Sequence, residues 1–337
     1  MKIALDAMGG DNAPVETIKG AMKALEEIDN LELFLVGQKE VIEEELLKYS
    51  NIDRKKIEII DAREIIVMTD DPVAAVKGKK DSSMNRTLEL VKDGVVDASV
   101  SAGNTGALIT ASQLKLKRIR GVMRPAIATM FPNKKGNMLL LDAGATADCK
   151  PEFLNQYAMM GSKYIEILLG KKNPTVGLLN IGTESGKGNE ITRGAYELLM
   201  KNDKINFVGN VESTEMLNGN IDVVVTDGFT GNMVLKTSEG VAKFMLSCMK
   251  SEIEKSFIYK LGALLIKPAL KTIVKKMDSS EYGGAIFLGL NGISIKAHGN
   301  SDAIAIKNAI KVANKFAQMK FIDELKKVVV IEDKEEI

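Results

Sequence analysis

The sequence predicts an α/β fold built on a mainly parallel sheet. Three observations carry that prediction. Short apolar runs rich in Ile, Leu and Val lack strict alternation, as strands buried on both faces do. Helical-period stretches separate most of these runs, which is the βα alternation of a parallel sheet. Many runs also end in glycine beside Asp, Asn or Thr, at a junction between strand and helix. Length and composition agree: 337 residues suffice for about two domains, and 45% hydrophobic with 27% charged residues is a globular balance.

The elements follow in order. Strands are expected at residues 2–7, 31–37, 56–62, 98–103, 126–131, 138–144, 175–182, 205–211, 222–228 and 293–298. Helices are expected at 15–28, behind Pro14 as a first helical residue, and at 40–49, 84–93, 106–116, 152–170, 190–201, 231–255 and 302–319. No low-complexity linker divides the chain. The clearest composition shifts are the basic stretch 115–124 and the acid-free stretch 255–277, and no repeat of 20–50 residues is present.

Several function classes are excluded or disfavoured. Forty-six basic against 45 acidic residues gives a net charge of +1, which demands no nucleic acid. Cys149, Cys248 and the lone His298 have no metal-ligand spacing, so no metal site is expected. The N-terminus lacks a signal-peptide pattern and no apolar run is long enough to span a membrane, so a cytoplasmic protein is expected. The stretch 182–188 resembles a P-loop but has three residues between its glycines and Gly188 where Ser or Thr belongs. No dinucleotide fingerprint or nucleophile elbow occurs.

Ligands of open α/β sheets bind beyond the carboxyl ends of the strands. There the sequence places Asp6-Ala7-Met8-Gly9-Gly10-Asp11-Asn12, Ser101-Ala102-Gly103-Asn104-Thr105-Gly106, Asp142–Asp148, Asn180–Glu184 and Asp227-Gly228-Phe229-Thr230-Gly231-Asn232. Glycine admits close backbone approach and free helix N–H groups bind anions, so these turns are expected to share one anion-binding crevice. Taken singly, each is an ordinary tight turn. Lys296-Ala297-His298-Gly299-Asn300-Ser301-Asp302 adds an ammonium, an imidazole and a hydroxyl at a helix start; a turn histidine without function is the other reading.

The motifs LDAMGGDNAP, SAGNTGAL, RPAIATMFP, LLDAGA, NIGTESGKGN, TDGFTGNMVLK, EYGGAIFLG and IKAHGNSDA, in this order, resemble the bacterial phosphate acyltransferase family of phospholipid synthesis. The resemblance runs from Met1 to about Met319. One departure lies at 145–149, where the family more often has Asn after DAGA, so no role is carried over to Thr146 or Cys149. The resemblance implies transfer of a fatty acyl group from acyl carrier protein to inorganic phosphate, without a cofactor. The acyl phosphate then passes to a membrane glycerol-3-phosphate acyltransferase. It also implies a two-lobed fold like that of isocitrate and isopropylmalate dehydrogenases, similar to phosphotransacetylase, in a homodimer. The first lobe would hold residues 1–115 and about 285–337, and the second about 116–284.

In that chemistry phosphate is the nucleophile, and a thiol of pKa about 8.5 leaves with little acid assistance. The protein must align the reactants and stabilise an oxyanion. The catalytic candidates are Asn232, His298 and Lys296. The substrate-binding candidates are Asp6, Gly9, Gly10, Asn104, Thr105, Gly106, Lys187, Asp227, Thr230, Gly231 and Ser301. Carboxylates repel phosphate, so Asp6, Asp11 and Asp227 are expected to fix loops, and Asp302 is either a base or a helix cap.

Two surfaces stand apart. Lys115, Lys117, Arg118, Arg120 and Arg124 contain no acid among them, and are either a docking face for an acidic carrier protein or a solvated helix face. The segment 255–277 holds six lysines and no acid. Lys260, Lys267, Lys271 and Lys275 fall within an arc of roughly 80° at helical spacing, and Pro268 should kink or split the helix. With Leu264, Leu265, Ile266, Lys267 and Lys271 exposed it would lie on an anionic membrane surface; a dimer-interface or core helix pair is the alternative. A metal- and NAD-dependent decarboxylating dehydrogenase of the same fold is the rival function, disfavoured by only seven arginines and no acid-binding loop.

Overall fold

The computed structural model describes residues 1–50, 52–277 and 283–329, with no side-chain description for 274–277. Glu281 and Tyr282 of the EYGG turn, the Lys275 side chain of the lysine arc and the end of the first expected lobe, 330–337, lie outside the described residues.

Eleven strands form one sheet: β1 Lys2–Asp6, β2 Glu32–Gly37, β3 Ile57–Asp61, β4 Ala98–Ser101, β5 Ala126–Asn133, β6 Gly136–Leu141, β7 Thr175–Leu179, β8 Asn206–Val211, β9 Val223–Val225, β10 Ala285–Leu288 and β11 Ile293–Lys296. The helices are α1 Val15–Glu27, α2 Lys39–Leu46, α3 Pro72–Gly78, α4 Ser83–Lys92, α5 Thr105–Leu116, α6 Pro151–Leu169, α7 Glu190–Met200, α8 Ser213–Met216, α9 Gly228–Glu254, α10 Phe257–Met277, α11 Ala303–Gln318 and α12 Phe321–Val329. Strand β10 was not expected from the sequence. Only four residues long, in a Gly-rich stretch, it offers too little pattern to read.

The strand order is β3-β2-β1-β4-β11-β10-β5-β6-β9-β7-β8. Pairing is parallel from β3 to β11 and again from β6 to β8. Between them β11–β10, β10–β5 and β5–β6 are antiparallel. Three reversals leave β6, β9, β7 and β8 pointing against β1–β4 and β11. The glycine turns therefore divide. Those after β1, β4 and β11 open on one edge of the sheet, and those after β6, β7 and β9 on the other. The turns thus stand at two edges of the sheet.

A single large apolar cluster fills one face, where α1, α6, α11 and α12 pack on both halves of the sheet; Tyr164, Phe316 and Phe321 interlock within it. On the other face Ala107, Leu108 and Ala111 of α5 pack with Ile127 and Phe287, and Leu235 of α9 joins the same cluster from the far side. Helices α5 and α9 thus flank a groove floored by β10 and β5. Helix α9 then leaves the body. Only Gly228 and Gly231 of its 27 residues are buried, and it packs against α10 as a hairpin. Helix α10 runs unbroken through Pro268, correcting the expected split; the Thr272 hydroxyl donates to the Pro268 carbonyl at 3.1 Å. The hairpin turn lies at Lys255–Ser256, with Phe257 and Ile258 more than 70% exposed beside it. A core helix pair is ruled out by this exposure.

Candidate active site

At the edge reached by β1, β4 and β11, buried polar groups hold the turns. The Asp6 carboxyl is buried, its Oδ2 accepts from Ser101 Oγ at 2.7 Å, and Oγ in turn accepts from the Gly103 N–H. Burial raises its pKa, against hydrogen bonds from Ser101 and others that lower it. A Cβ on Gly9 would stand 2.4 Å from Asp6 Oδ2, so only glycine fits there. Gly10, at φ +110°, lies against the Gly299 carbonyl, which also accepts the Asp11 N–H. The first and last turns are thereby locked together. Asn104 caps α5 by accepting from the Ala107 N–H, and its amide donates to the Met68 and Asp70 carbonyls. Gly106 packs on Pro72. Asn104 is thus committed to holding loop 68–72, leaving the backbone of Thr105 and Gly106 at a helix start. Asp302 accepts from the Ile304 and Ala305 N–H groups, which makes it the cap of α11.

At the opposite edge the unexpected residue is Asp142. It is fully buried, and its two oxygens accept from the N–H groups of Ile127, Gly144, Ala145 and Thr146 at 2.8–3.2 Å. Burial outweighs these bonds and pushes its pKa up to about 6. Gly228 and Gly231 rest on this loop; a Cβ on Gly231 would lie 1.9 Å from the Asp142 carbonyl oxygen. Asp227 caps α9, accepting from the Thr230 N–H and hydroxyl at 2.8 and 2.7 Å. The Thr230 hydroxyl is therefore used within the cap. Asn232, exposed, lies against Gly144. The run LLDAGA announced this turn, but a sequence does not tell which Asp is swallowed by its own loop. Burial pushes the Cys149 thiol up to about 12, which leaves almost no thiolate at neutral pH.

Helix α9 connects the two edges. From Gly228 it climbs about 16 Å at 1.5 Å per residue to Glu239, whose Oε1 faces His298 Nε2 at 3.7 Å. Glu239 Oε2 accepts from Lys236 Nζ at 2.9 Å. Lys296 sits beside them. Burial, with help from Lys236 and against Glu239, depresses its pKa to about 8. Asn232, Lys236 and Glu239 are four and three residues apart and so share one side of α9. Among the described residues Glu239 Oε1, Ser301 Oγ and Asp6 Oδ1 are buried with no hydrogen-bond partner. Neither Glu239 nor Lys236 was singled out from the sequence, since both look like solvated charges on a long helix.

The other candidates lie apart. Lys187 pairs with Glu184 of its own loop after β7, at 3.9 Å. Lys115 is bound to Glu89 at 2.6 Å, while Lys117, Arg118 and Arg124 line a separate pocket beyond the end of α5. Leu264, Leu265, Ile266, Lys267 and Lys271 are all exposed on α10. Among the described residues no group of three or more His, Cys, Asp or Glu side chains is arranged to hold a metal ion, and no helix is long and apolar enough to cross a membrane.

Residues 1–324 match the model of a family described as fatty acid synthesis protein. A phosphate acyltransferase of Fusobacterium nucleatum is 62% identical over 98% of this chain and 100% of its own. Among solved structures, a phosphotransacetylase from Streptococcus pyogenes superposes with TM-score 0.63 at 18% identity, covering 95% of this chain and 94% of that one. A 4-hydroxythreonine-4-phosphate dehydrogenase from Klebsiella pneumoniae does so with TM-score 0.52 at 14% identity, covering 94% and 99%. These two establish a shared fold.

Proposed function

The chain belongs to the fatty acid synthesis protein family, whose relatives are phosphate acyltransferases, and on that premise we propose that it carries a fatty acyl group from acyl carrier protein to inorganic phosphate for phospholipid synthesis. It is an acyltransferase; the donor and the arrangement of the site are the proposal. The observation that carries the site is the cluster of Lys296, His298 and Lys236 around Glu239 at one end of the groove, lined along α9 by Asn232.

Phosphate sits against Lys296, His298 and Lys236, with the Ser301 hydroxyl as a further donor. One of its oxygens attacks the thioester carbonyl. The Asn232 amide supplies a hydrogen bond to the oxygen that gains charge. The C–S bond then breaks, the electron pair leaves as thiolate, and acyl phosphate is released. The groups Asp6, Gly9, Gly10, Asn104, Thr105, Gly106, Asp227 and Gly231 shape the turns around this path. Lys187 stands at the rim. No cofactor enters the scheme.

The lobes of the proposal are residues 1–115 with about 285–337, and about 116–284. The α9–α10 hairpin pairs two copies and rests on an anionic membrane, where a membrane acyltransferase takes the product from an otherwise cytoplasmic enzyme. The dehydrogenase reading has only the fold in its favour. The test is direct: incubate the full chain with acyl carrier protein thioester and phosphate, and follow acyl phosphate and free thiol. The expected result is phosphate-dependent release of both, insensitive to chelator. Thiol release without phosphate, or its abolition by chelator with rescue by a divalent ion, overturns the scheme.

A further inference from the structure

Beyond the end of α5 the chain folds a pocket rather than a flat basic face. Its volume is about 460 Å³, and its walls include Gln113, Leu114, Lys117, Arg118, Arg124 and Pro125. Three of these are cations and none is an acid. No carboxylate lies within 4.0 Å of Lys117, Arg118 or Arg124 among the described residues, whereas neighbouring Lys115 is neutralised by Glu89. Leu114, 53% exposed, and Pro125 give the pocket an apolar side.

The backbone that carries Lys117 and Arg118 is held in place before any ligand arrives. Lys117 has φ +58°, a conformation that L-residues rarely adopt, and its carbonyl is fastened by the Asn291 N–H at 3.0 Å. Arg118 bridges Leu290, its carbonyl accepts from the Asn291 amide at 2.7 Å, and its guanidinium donates to the Met123 carbonyl. Strained backbone of this kind persists where the surroundings over-determine it, often at ligand sites. The pocket also adjoins the groove. Pro125 is two residues from Ile127, whose N–H donates to Asp142 beneath the start of α9.

We propose that this pocket binds the phosphate of a phosphorylated thiol arm, so that the acyl thioester at the far end of that arm enters the groove beside Asn232. The cations meet the phosphate, Leu114 and Pro125 meet the arm's aliphatic part, and the guanidinium of Arg124 supplies the fork suited to phosphate oxygens. The inference rests on the acyl-transfer reading for the direction of the arm, while the binding itself is tested separately.

The test is calorimetric titration of the full chain with 4′-phosphopantetheine, with pantetheine and with inorganic phosphate. The phosphorylated arm should bind about tenfold or more tightly than pantetheine, the gap expected of a charge-assisted contact, and more tightly than inorganic phosphate alone. Lys117→Gln with Arg124→Gln should close that gap; because pantetheine is measured on the same variant, a folding defect would weaken both ligands. Equal binding of the two arms in the wild type, a gap that survives the double substitution, or phosphate alone binding as tightly as the phosphorylated arm each overturns the proposal. If binding behaves as expected and the full chain still fails to move acyl groups from carrier protein to phosphate, the acyl-transfer reading falls and the pocket stands.

Discussion

Lys296 is the side chain whose chemistry is most altered by its surroundings. Its pKa falls from the ordinary 10.5 to about 8, because burial penalises the charge and Lys236 repels it, while Glu239 pulls the other way. If the ammonium holds phosphate, turnover should decline as pH rises through about 8. Lys236→Met removes a repelling charge and should move that decline to higher pH. Glu239→Gln removes an attracting one and should move it to lower pH. A pH profile of kcat/KM for the three proteins checks both signs. Linkage gives a second expectation. Between about 8 and 10.5 the unfolded chain binds more protons at this lysine than the folded one, so stability rises with pH across that window, and the penalty is constant below it. Lys296→Met should therefore raise stability at pH 7 by up to roughly 3 kcal/mol, lose the gain towards pH 10.5, and lose turnover throughout. Urea unfolding at the two pH values measures it.

At the scale of elements, α9 is the piece on which the site depends. Its first turn is seated on the Asp142 loop through Gly228 and Gly231, and the virtual Cβ of Gly231 overlaps the Asp142 carbonyl. Gly231→Ala must displace the helix start, and should cost about 1–3 kcal/mol by overpacking while reducing turnover far more than that loss alone explains. Unfolding and kinetics on one preparation separate the two. Farther along, Phe257, Ile258, Leu264 and Leu265 are more than 60% exposed. Leu265→Glu with Ile266→Glu should abolish sedimentation with anionic vesicles and leave the protein's own sedimentation coefficient unchanged; a variant that sediments more slowly than the wild type would mark α10 as interface alone. Much of this was legible in the sequence: the βα alternation, the basic amphipathic helix and the turns that hold Asp142 and Asp227. What was not legible arises from distance along the chain. Glu239 and His298 are 59 positions apart, and a carboxylate on a polar helix gives no sign that an imidazole faces it. Asn104 and Thr230 matched a substrate-binding pattern, and in the structure their side chains also serve caps, because Asn, Asp and Thr serve turns and ligands with the same atoms.

For the whole molecule, net charge is close to zero, so under the proposed function attraction of an acidic carrier has to come from local imbalance such as that at 117–124. Lys117→Glu, Arg118→Glu and Arg120→Glu together should raise KM for carrier-linked thioester, and added salt should raise the wild-type KM in the same direction. The salt dependence should be weaker in the triple variant, which a KM series from low to high ionic strength records. The middle of the sheet sets how the two groups of turns stand to each other. Strands β10 and β5 and the joins on either side of them make three antiparallel pairings, and three is odd. With an even number, every glycine turn would open on the same rim. Oddness puts the Asp142 loop and the Lys296 turn on opposite rims, so no single loop can touch both. The distance must be covered by something stiff, and α9 covers it: a ruler whose length in residues, counted from Gly231 to Glu239, fixes how far the Asp142 loop stands from the Lys296 turn.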